Sequence, residues 1–143
     1  MKEHISRSAD IVGLFCRLQM NTKKDMPVRS SEMGVLIYTE KQEGLVTPLM
    51  VSNFFRVSKP SVTAMINSLV RQGYLRKTSS ATDGRSYSIS LTVLGAELVK
   101  STSTEYFRNL ERLEEKMGSV DFGRFIQLMQ QATEILSVEG GRS

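Results

Sequence analysis

The chain has 143 residues, 40% of them hydrophobic and 24% charged, and a formal net charge of +4, which suits one folded domain with a core of moderate size and excludes a disordered chain. Its first residues lead into no apolar run long enough for a signal peptide or a membrane span, so we expect a cytoplasmic protein. One cysteine and one histidine cannot by themselves supply a structural zinc site, and we expect no metal and no cofactor.

Two helices are predicted in the first third of the chain. Apolar residues recur at helical spacing over residues 5–20 and give that helix a broad apolar face. The polar stretch 21–29 contains a proline and predicts a loop. The second helix is predicted from Ser30 or Ser31, whose hydroxyl can cap its first turn, to about Gln42, with a glycine soon after its end.

A pair of helices joined by a tight turn follows. Thr47-Pro48 is typical of a helix start, because a hydroxyl caps the first turn and the missing N–H of proline costs nothing there. This short helix should run to Phe55, and Ser58 should cap the next one, which ends at Gly73. The pattern predicts a helix-turn-helix. Its second helix is expected to bury Val62, Ile66 and Leu69.

Residues 74–91 predict a β-hairpin with a long basic tip. The stretch from Tyr74 to Lys77 is typical of a strand, and Asp83-Gly84 is a turn pair. Apolar residues alternate with serines from Tyr87 to Leu91, which predicts a second strand with one buried face. A helix-turn-helix followed by such a hairpin is a winged helix.

The C-terminal third predicts two further helices. Thr92 can cap a long helix that runs to about Met117, and a last helix starts at about Asp121. Helices outside the winged core at both ends of so short a chain need a partner for their apolar faces. A symmetric dimer would supply one, and packing back on the same chain remains the alternative.

Charge is concentrated in the middle of the chain. The formal net charge is +1 over residues 1–55, +5 over residues 56–85 and −2 over residues 86–143. A basic middle between nearly neutral flanks indicates one surface that meets phosphates. A solvated surface with uneven charge is the alternative, and charge alone does not decide between them.

Two motifs in this order resemble the MarR family of bacterial transcriptional regulators. Thr47-Pro48 through Ser58 to Gly73 resembles the family's helix-turn-helix, and Asp83-Gly84-Arg85 with the downstream Leu91-Thr92 resembles its wing signature. The resemblance implies a mainly α fold with a small β-hairpin wing (α+β), in which a winged helix-turn-helix core is flanked by N- and C-terminal dimerisation helices. The implied organisation is one domain over 1–143, with a DNA-binding core at 30–91 and dimerisation helices at 1–22 and 92–138.

The resemblance also implies a homodimer bound to double-stranded DNA, with recognition helices in successive major grooves of a pseudo-palindromic operator and wings in adjacent minor grooves. The residues themselves favour this, because Ser58 can cap a helix and donate to a phosphate, and small polar side chains can approach base edges. Arg85, held by Asp83, suits a narrow minor groove, although a locally paired turn arginine is the alternative. We expect DNA contacts from Ser58, Lys59, Pro60, Ser61, Thr63, Ala64, Asn67, Arg76, Lys77, Asp83 and Arg85.

Several positions depart from the family pattern. Ala64 stands where the family often has arginine and Asn67 where it often has an acid, so no operator preference can be carried over. Arg56 stands where a turn glycine is common, at a cost of about 1 kcal/mol if the backbone there is left-handed. Leu49 and Met50 replace the usual exposed polar residues and indicate an extra hydrophobic contact.

Many relatives release DNA when a small aromatic ligand fills a pocket beside the winged core. Residues that could line such a pocket here are Phe15, Cys16, Met20, Met33 and Tyr38. Methionine and aromatic side chains at helical spacing are more often core, which is the alternative for this group. Cys16 could also sense peroxide, as in some relatives, but its apolar neighbours favour a buried and inert thiol.

The function that these features favour is a dimeric, sequence-specific transcriptional regulator, a repressor released by a small ligand or oxidant. The alternative is a winged-helix module that binds protein without sequence-specific DNA binding, which Leu49 and Met50 would support. An enzyme is the weakest option, because the sequence contains no nucleophile-base pair, phosphate loop or metal cluster.

Overall fold

The computed structural model describes residues 2–20, 26–80 and 86–140. Within these residues the predicted order of helices and hairpin is confirmed, and no helix among them is long and apolar enough to cross a membrane. The elements are α1 (Lys2–Met20), α2 (Ser30–Lys41), α3 (Pro48–Phe55), α4 (Lys59–Arg71), β1 (Leu75–Ser79), β2 (Tyr87–Leu91), α5 (Val93–Met117) and α6 (Ser119–Gly140).

The start of α2 differs from the prediction. Ser30 is already the first helical residue, and the capping position is Arg29. The carboxylate of Glu32 accepts a hydrogen bond from the Arg29 N–H at 3.0 Å, so an acid three residues on satisfies the free amide instead of a serine hydroxyl. The helix ends at Lys41, where the N–H of Gln42 donates to the Thr39 carbonyl.

The core lies where α2, α3, α4 and the hairpin meet. α2 contributes Val35 and Leu36, and α3 contributes Val51; all three are fully buried. The expected inner face of α4 is confirmed, since Val62, Ile66 and Leu69 are also fully buried. Each such side chain contributes roughly 1.5–3 kcal/mol relative to an exposed position, so the core holds α4 in one orientation.

The hairpin is attached to the core through its second strand. Leu75 pairs with Leu91 and Lys77 with Ile89 in an antiparallel register. Ile89 is 3% exposed, and its N–H donates to the Val46 carbonyl just before α3 at 2.8 Å. The second strand therefore links the wing to the segment that begins the helix-turn-helix.

The first turn of α5 closes against the end of α4. Thr92 caps the helix as predicted, because its Oγ1 accepts from the Gly95 N–H at 3.0 Å, and its own N–H donates to the Tyr74 carbonyl at 3.2 Å. A Cβ at Gly95 would lie 2.1 Å from that carbonyl oxygen. Gly73 has the predicted left-handed conformation with φ of 86°.

The terminal helices leave apolar surface uncovered. α5 packs against α2 and α6, and Phe15 of α1 meets Phe125 of α6 edge to face, with ring centroids 5.5 Å apart. Cys16 is exposed, so the expected buried thiol is wrong for the single chain, because α1 has little of this chain packed over it. Large apolar side chains exposed on α1 and α6 are Ile5, Ile11, Val12, Leu14, Leu18, Val120, Ile126, Leu128, Met129, Ile135 and Leu136.

Candidate nucleic-acid interface

The start of α4 is fixed by its own residues. The Ser58 Oγ accepts from the Ser61 N–H at 3.3 Å and donates to the Ser61 Oγ at 2.9 Å. Lys59 and Pro60 occupy the first two helical positions. An N–H in the first turn has no partner within the helix, so the N–H that proline lacks costs no hydrogen bond there. The cap predicted at Ser58 is confirmed.

The face of α4 opposite its buried residues is open to solvent. We call it the outer strip of α4. Most of its side chains are exposed, and Asn67 is half-buried. The structure therefore brings together, on one helix face and at its start, the residues predicted to approach DNA from this helix. The outer strip consists of Lys59, Pro60, Ser61, Thr63, Ala64, Asn67 and Arg71.

Arg71 is a strip residue that the sequence reasoning missed. It is exposed in the last turn of α4, one helical turn after Asn67. The spacing from Asn67 could have indicated it, because residues four apart share a helix face. It adds a second cation to the strip beyond Lys59.

In the turn between α3 and α4, Arg56 adopts the left-handed conformation whose cost was stated from the sequence only as a condition. Arg56 has φ 57° and ψ 46°, a conformation that costs a residue with a Cβ roughly 1–2 kcal/mol. Its guanidinium donates to the Glu134 carboxylate at 2.7 Å and to the Ser137 Oγ at 2.6 Å. The Arg56 guanidinium is thus paired with α6 of the same chain, and we do not count it among the cations of the outer strip.

The wing's first strand separates its two cations. Because successive strand residues point to opposite faces, Arg76 and Lys77 lie on different sides of the hairpin. Lys77 shares a face with the buried Leu75 and reaches α4, where its Nζ donates to the Asn67 Oδ1 at 2.6 Å. Arg76 is exposed on the other face. Asp83 and Arg85 at the predicted tip lie outside the described residues.

A buried acid supports α4 from behind the outer strip. Glu32 of α2 is 6% exposed. Burial by itself raises the pKa of Glu32. Hydrogen bonds from Ser68 of α4 and from the Arg29 N–H, together with the positive charges of Arg29 and Arg71, outweigh burial and lower the pKa overall. An ionised Glu32 therefore joins the first turn of α2 to the middle of α4.

A second concave region lies beside α2, away from the outer strip. An open cavity of about 510 Å³ is lined by Met33 and Tyr38, two of the residues predicted for an effector pocket. Phe15 and Cys16 do not line it, because α1 packs toward α5 and α6 instead, and the Met20 side chain lies outside the described part of the chain.

The cavity also contains residues that the sequence reasoning missed. Phe54 lies 4.6 Å from Tyr38 between ring centroids, and Phe55 lies 4.8 Å from Phe54. The adjacent pair of phenylalanines at the end of α3 was the available signal. Thr102 of α5 lines the same cavity, and its buried Oγ1 has no hydrogen-bond partner within the described residues.

Comparison with known proteins relates this geometry to one family. Residues 24–86 match the model of the MarR family. An uncharacterised HTH-type transcriptional regulator of Mycobacterium leprae is 37% identical over 75 residues, which are 52% of this chain and 52% of the relative. The match thus spans about half the length of that relative.

Solved structures share the fold over nearly the whole chain. The PcaV transcriptional regulator of Streptomyces coelicolor, in complex with its natural ligand, superposes with a TM-score of 0.77 at 18% identity and covers 92% of each chain. FabT of Streptococcus pneumoniae, in complex with DNA, superposes with a TM-score of 0.70 at 19% identity and covers 94% of each chain. At these identities the likeness establishes the winged-helix fold.

Proposed function

We propose that this protein, whose residues 24–86 match the model of the MarR family, is a member of that family and a sequence-specific DNA-binding transcriptional regulator. Residues 30–91 form its DNA-binding core, and the segments 1–22 and 92–138 form its dimerisation helices. A regulator of this kind works in the cytoplasm, on duplex DNA.

The outer strip of α4 carries the proposal. Its small and polar side chains are exposed, while the opposite face of the helix is buried in the core. A helix with such an exposed face can enter the major groove and bring these side chains to the base edges. Lys59 at the start and Arg71 at the end supply phosphate contacts, and Ser58 adds a hydroxyl beside the free amides of the first turn. The wing, whose strands are joined by a segment that contains Arg85 in the sequence, reaches the neighbouring minor groove.

We propose a homodimer because the terminal helices leave apolar side chains exposed that a second copy of the chain would cover. Ile11 and Leu18 of α1 are each 64% exposed, and Leu136 of α6 is 69% exposed. Apolar side chains repeated at helical spacing on two terminal helices exceed what a monomer ordinarily leaves in water. A symmetric dimer covers both faces and sets two copies of α4 apart by a fixed distance, as a pseudo-palindromic operator requires.

The cavity beside α2 is the proposed effector site. Its aromatic wall of Tyr38, Phe54 and Phe55 suits a small aromatic ligand, and the unpartnered hydroxyl of Thr102 can bond one polar group on it. Because α2 and α3 form the wall and α3 leads directly into α4, a ligand that moves this wall shifts the recognition helix.

Gel shifts with genomic fragments, followed by footprinting, test the proposal. We expect a protected site with two similar half-sites, and we expect affinity to fall when a small aromatic compound with one polar group, such as phenol, occupies the cavity. DNA binding that is absent or insensitive to salt, together with co-purification of a protein partner, would instead favour an interaction module. Leu49, which is 55% exposed beside Lys59, would then be part of the contact.

A further inference from the structure

One hydrogen bond joins the wing to the outer strip of α4. The Lys77 Nζ donates to the Asn67 Oδ1 at 2.6 Å, and the same nitrogen lies 4.6 Å from the centroid of the Tyr87 ring. The carbonyl oxygen and the aromatic face both attract the ammonium, so the lysine head group is held at one place next to the helix.

This contact determines which way the Asn67 amide is turned. An ammonium group has donors only, whereas an amide has an accepting oxygen at one end and a donating NH₂ at the other. The end that faces Lys77 must therefore be the oxygen. The Nδ2 group, with its two N–H donors, is the end turned away from Lys77.

The fixed orientation changes which base the residue can recognise. Asparagine usually pairs with adenine, giving a hydrogen bond to N7 and accepting one from N6. Here the oxygen already accepts from a cation, and the positive charge beside it opposes the approach of a second donor such as the adenine amino group. Guanine offers two acceptors, O6 and N7, at the same groove edge.

We propose that Asn67, oriented by Lys77, selects guanine at the base pair that it faces in each half-site. The inference rests on the proposed function and deepens it by naming a specificity-determining pair. Asn67 on α4 supplies the N–H donors for the guanine edge. Lys77, on β1 of the wing, is a positioning residue that acts through Asn67.

Selection of binding sites from a randomised DNA library with the full chain tests the proposal. The wild-type protein should show one guanine per half-site that depends on this pair. Lys77→Met keeps the aliphatic stem but removes the donor, so the preference for guanine over adenine at that position should fall roughly 5- to 150-fold, the range for one bidentate base contact. Asn67→Asp keeps a partner for Lys77 but has no N–H donor, and it should lose the same preference.

Arg76→Met is the matched control, because it removes one cation from the opposite face of the same strand. It should lower affinity for all sequences alike and leave the base preferences unchanged. An unchanged preference profile for Lys77→Met, or adenine at the Asn67-dependent position of the wild-type protein, would overturn the inference while leaving the regulator intact. A wild-type protein without any sequence-selective binding would overturn the proposed function as well. Circular dichroism of each variant checks that the fold is retained.

Discussion

The Arg56 guanidinium in the turn of the helix-turn-helix donates to the Glu134 carboxylate of α6 across 2.7 Å. The two residues are separated by 78 positions in the chain, and a second bond to Ser137 at 2.6 Å completes the contact. The side chain thus attaches the recognition unit to the last helix, while its backbone adopts the strained left-handed conformation of φ 57°. Two opposing free energies therefore act at one residue.

Substitutions at Arg56 should separate these two free energies. Arg56→Ala loses the ion pair and keeps a strained Cβ, whereas Arg56→Gly loses the ion pair and removes the strain. We expect the glycine variant to exceed the alanine variant in free energy of unfolding by about 1 kcal/mol. Urea denaturation of both variants measures the difference, and equal stabilities would contradict a strained turn.

A double-mutant cycle isolates the ion pair itself. The partners are 41% and 60% exposed, so solvent screening limits the coupling between Arg56→Ala and Glu134→Ala to about 0.2–1 kcal/mol. Additive effects of the two substitutions would mean that the contact contributes nothing to stability.

Glu32 should make the stability of the protein depend on pH. Because the folded state lowers the pKa of Glu32 from its ordinary value of 4.5, the ionised side chain contributes stability above that pH, and this contribution is lost as the pH falls through the lower folded-state pKa. At pH 7, Glu32→Gln should destabilise the fold by up to about 1.5–3 kcal/mol, the range for a hydrogen bond to a charged group. The deficit should shrink as the pH is lowered below about 4.5.

Denaturant titrations between pH 7 and pH 3 measure this dependence, provided that protein concentration is held constant. Glu43→Gln is the matched control, since Glu43 is exposed, and its effect should stay below roughly 0.5 kcal/mol at any pH. A deficit for Glu32→Gln that does not vary with pH would show that shape, not charge, matters at this site.

Gly95→Ala should disrupt the junction between the wing and α5. The added Cβ would lie 2.1 Å from the Tyr74 carbonyl oxygen, a backbone atom that cannot rotate away. We expect a loss of about 1–3 kcal/mol or more in the free energy of unfolding. Gly123→Ala in α6 is the control, because its Cβ meets no described atom within 4 Å, and it should gain roughly 0.5–1 kcal/mol in helix propensity. Similar thermal midpoints for the two variants would rule out the tight contact.

Lys59→Ala and Arg85→Ala should both weaken operator binding. For Lys59 the loss should be nearly uniform across DNA sequences and should reduce the slope of log affinity against log salt by about 1, as expected for one lost phosphate contact. Arg85→Ala should cost more at operators with narrow, A·T-rich flanks. Lys116→Ala, at an exposed position near the end of α5, is the control and should bind normally. Wild-type affinity in both test variants would contradict the proposed interface.

Helix ends were predictable where the stabilising contact is local. Thr47, Ser58 and Thr92 each accept from an N–H three residues on, so a short stretch of sequence contains both partners. The same is true of the buried face of α4, because helical spacing places Val62, Ile66 and Leu69 together wherever the helix lies. The cap of α2 was the exception, since the helix starts one residue earlier than a Ser30 cap requires and the Glu32 carboxylate accepts from the Arg29 N–H.

The effector region could be predicted only in part. Met33 and Tyr38 lie on α2 and line the cavity, whereas Phe15 and Cys16 lie on α1, which packs elsewhere. Apolar spacing shows that a helix buries one face, but it does not say which other element covers that face. For the same reason the sequence led to the expectation of a buried Cys16, which is wrong for the single chain.

By itself the sequence determined the order of helices and hairpin, the capped start of α4 and the face of α4 that is left to solvent, because each depends on residues within a few positions of one another. The tertiary structure alone decided the partners of charged side chains, such as Arg56 with Glu134 and Lys77 with Asn67. Such pairs form between elements that meet only after the core has packed, and many exposed cations and acceptors compete for them at similar free energy.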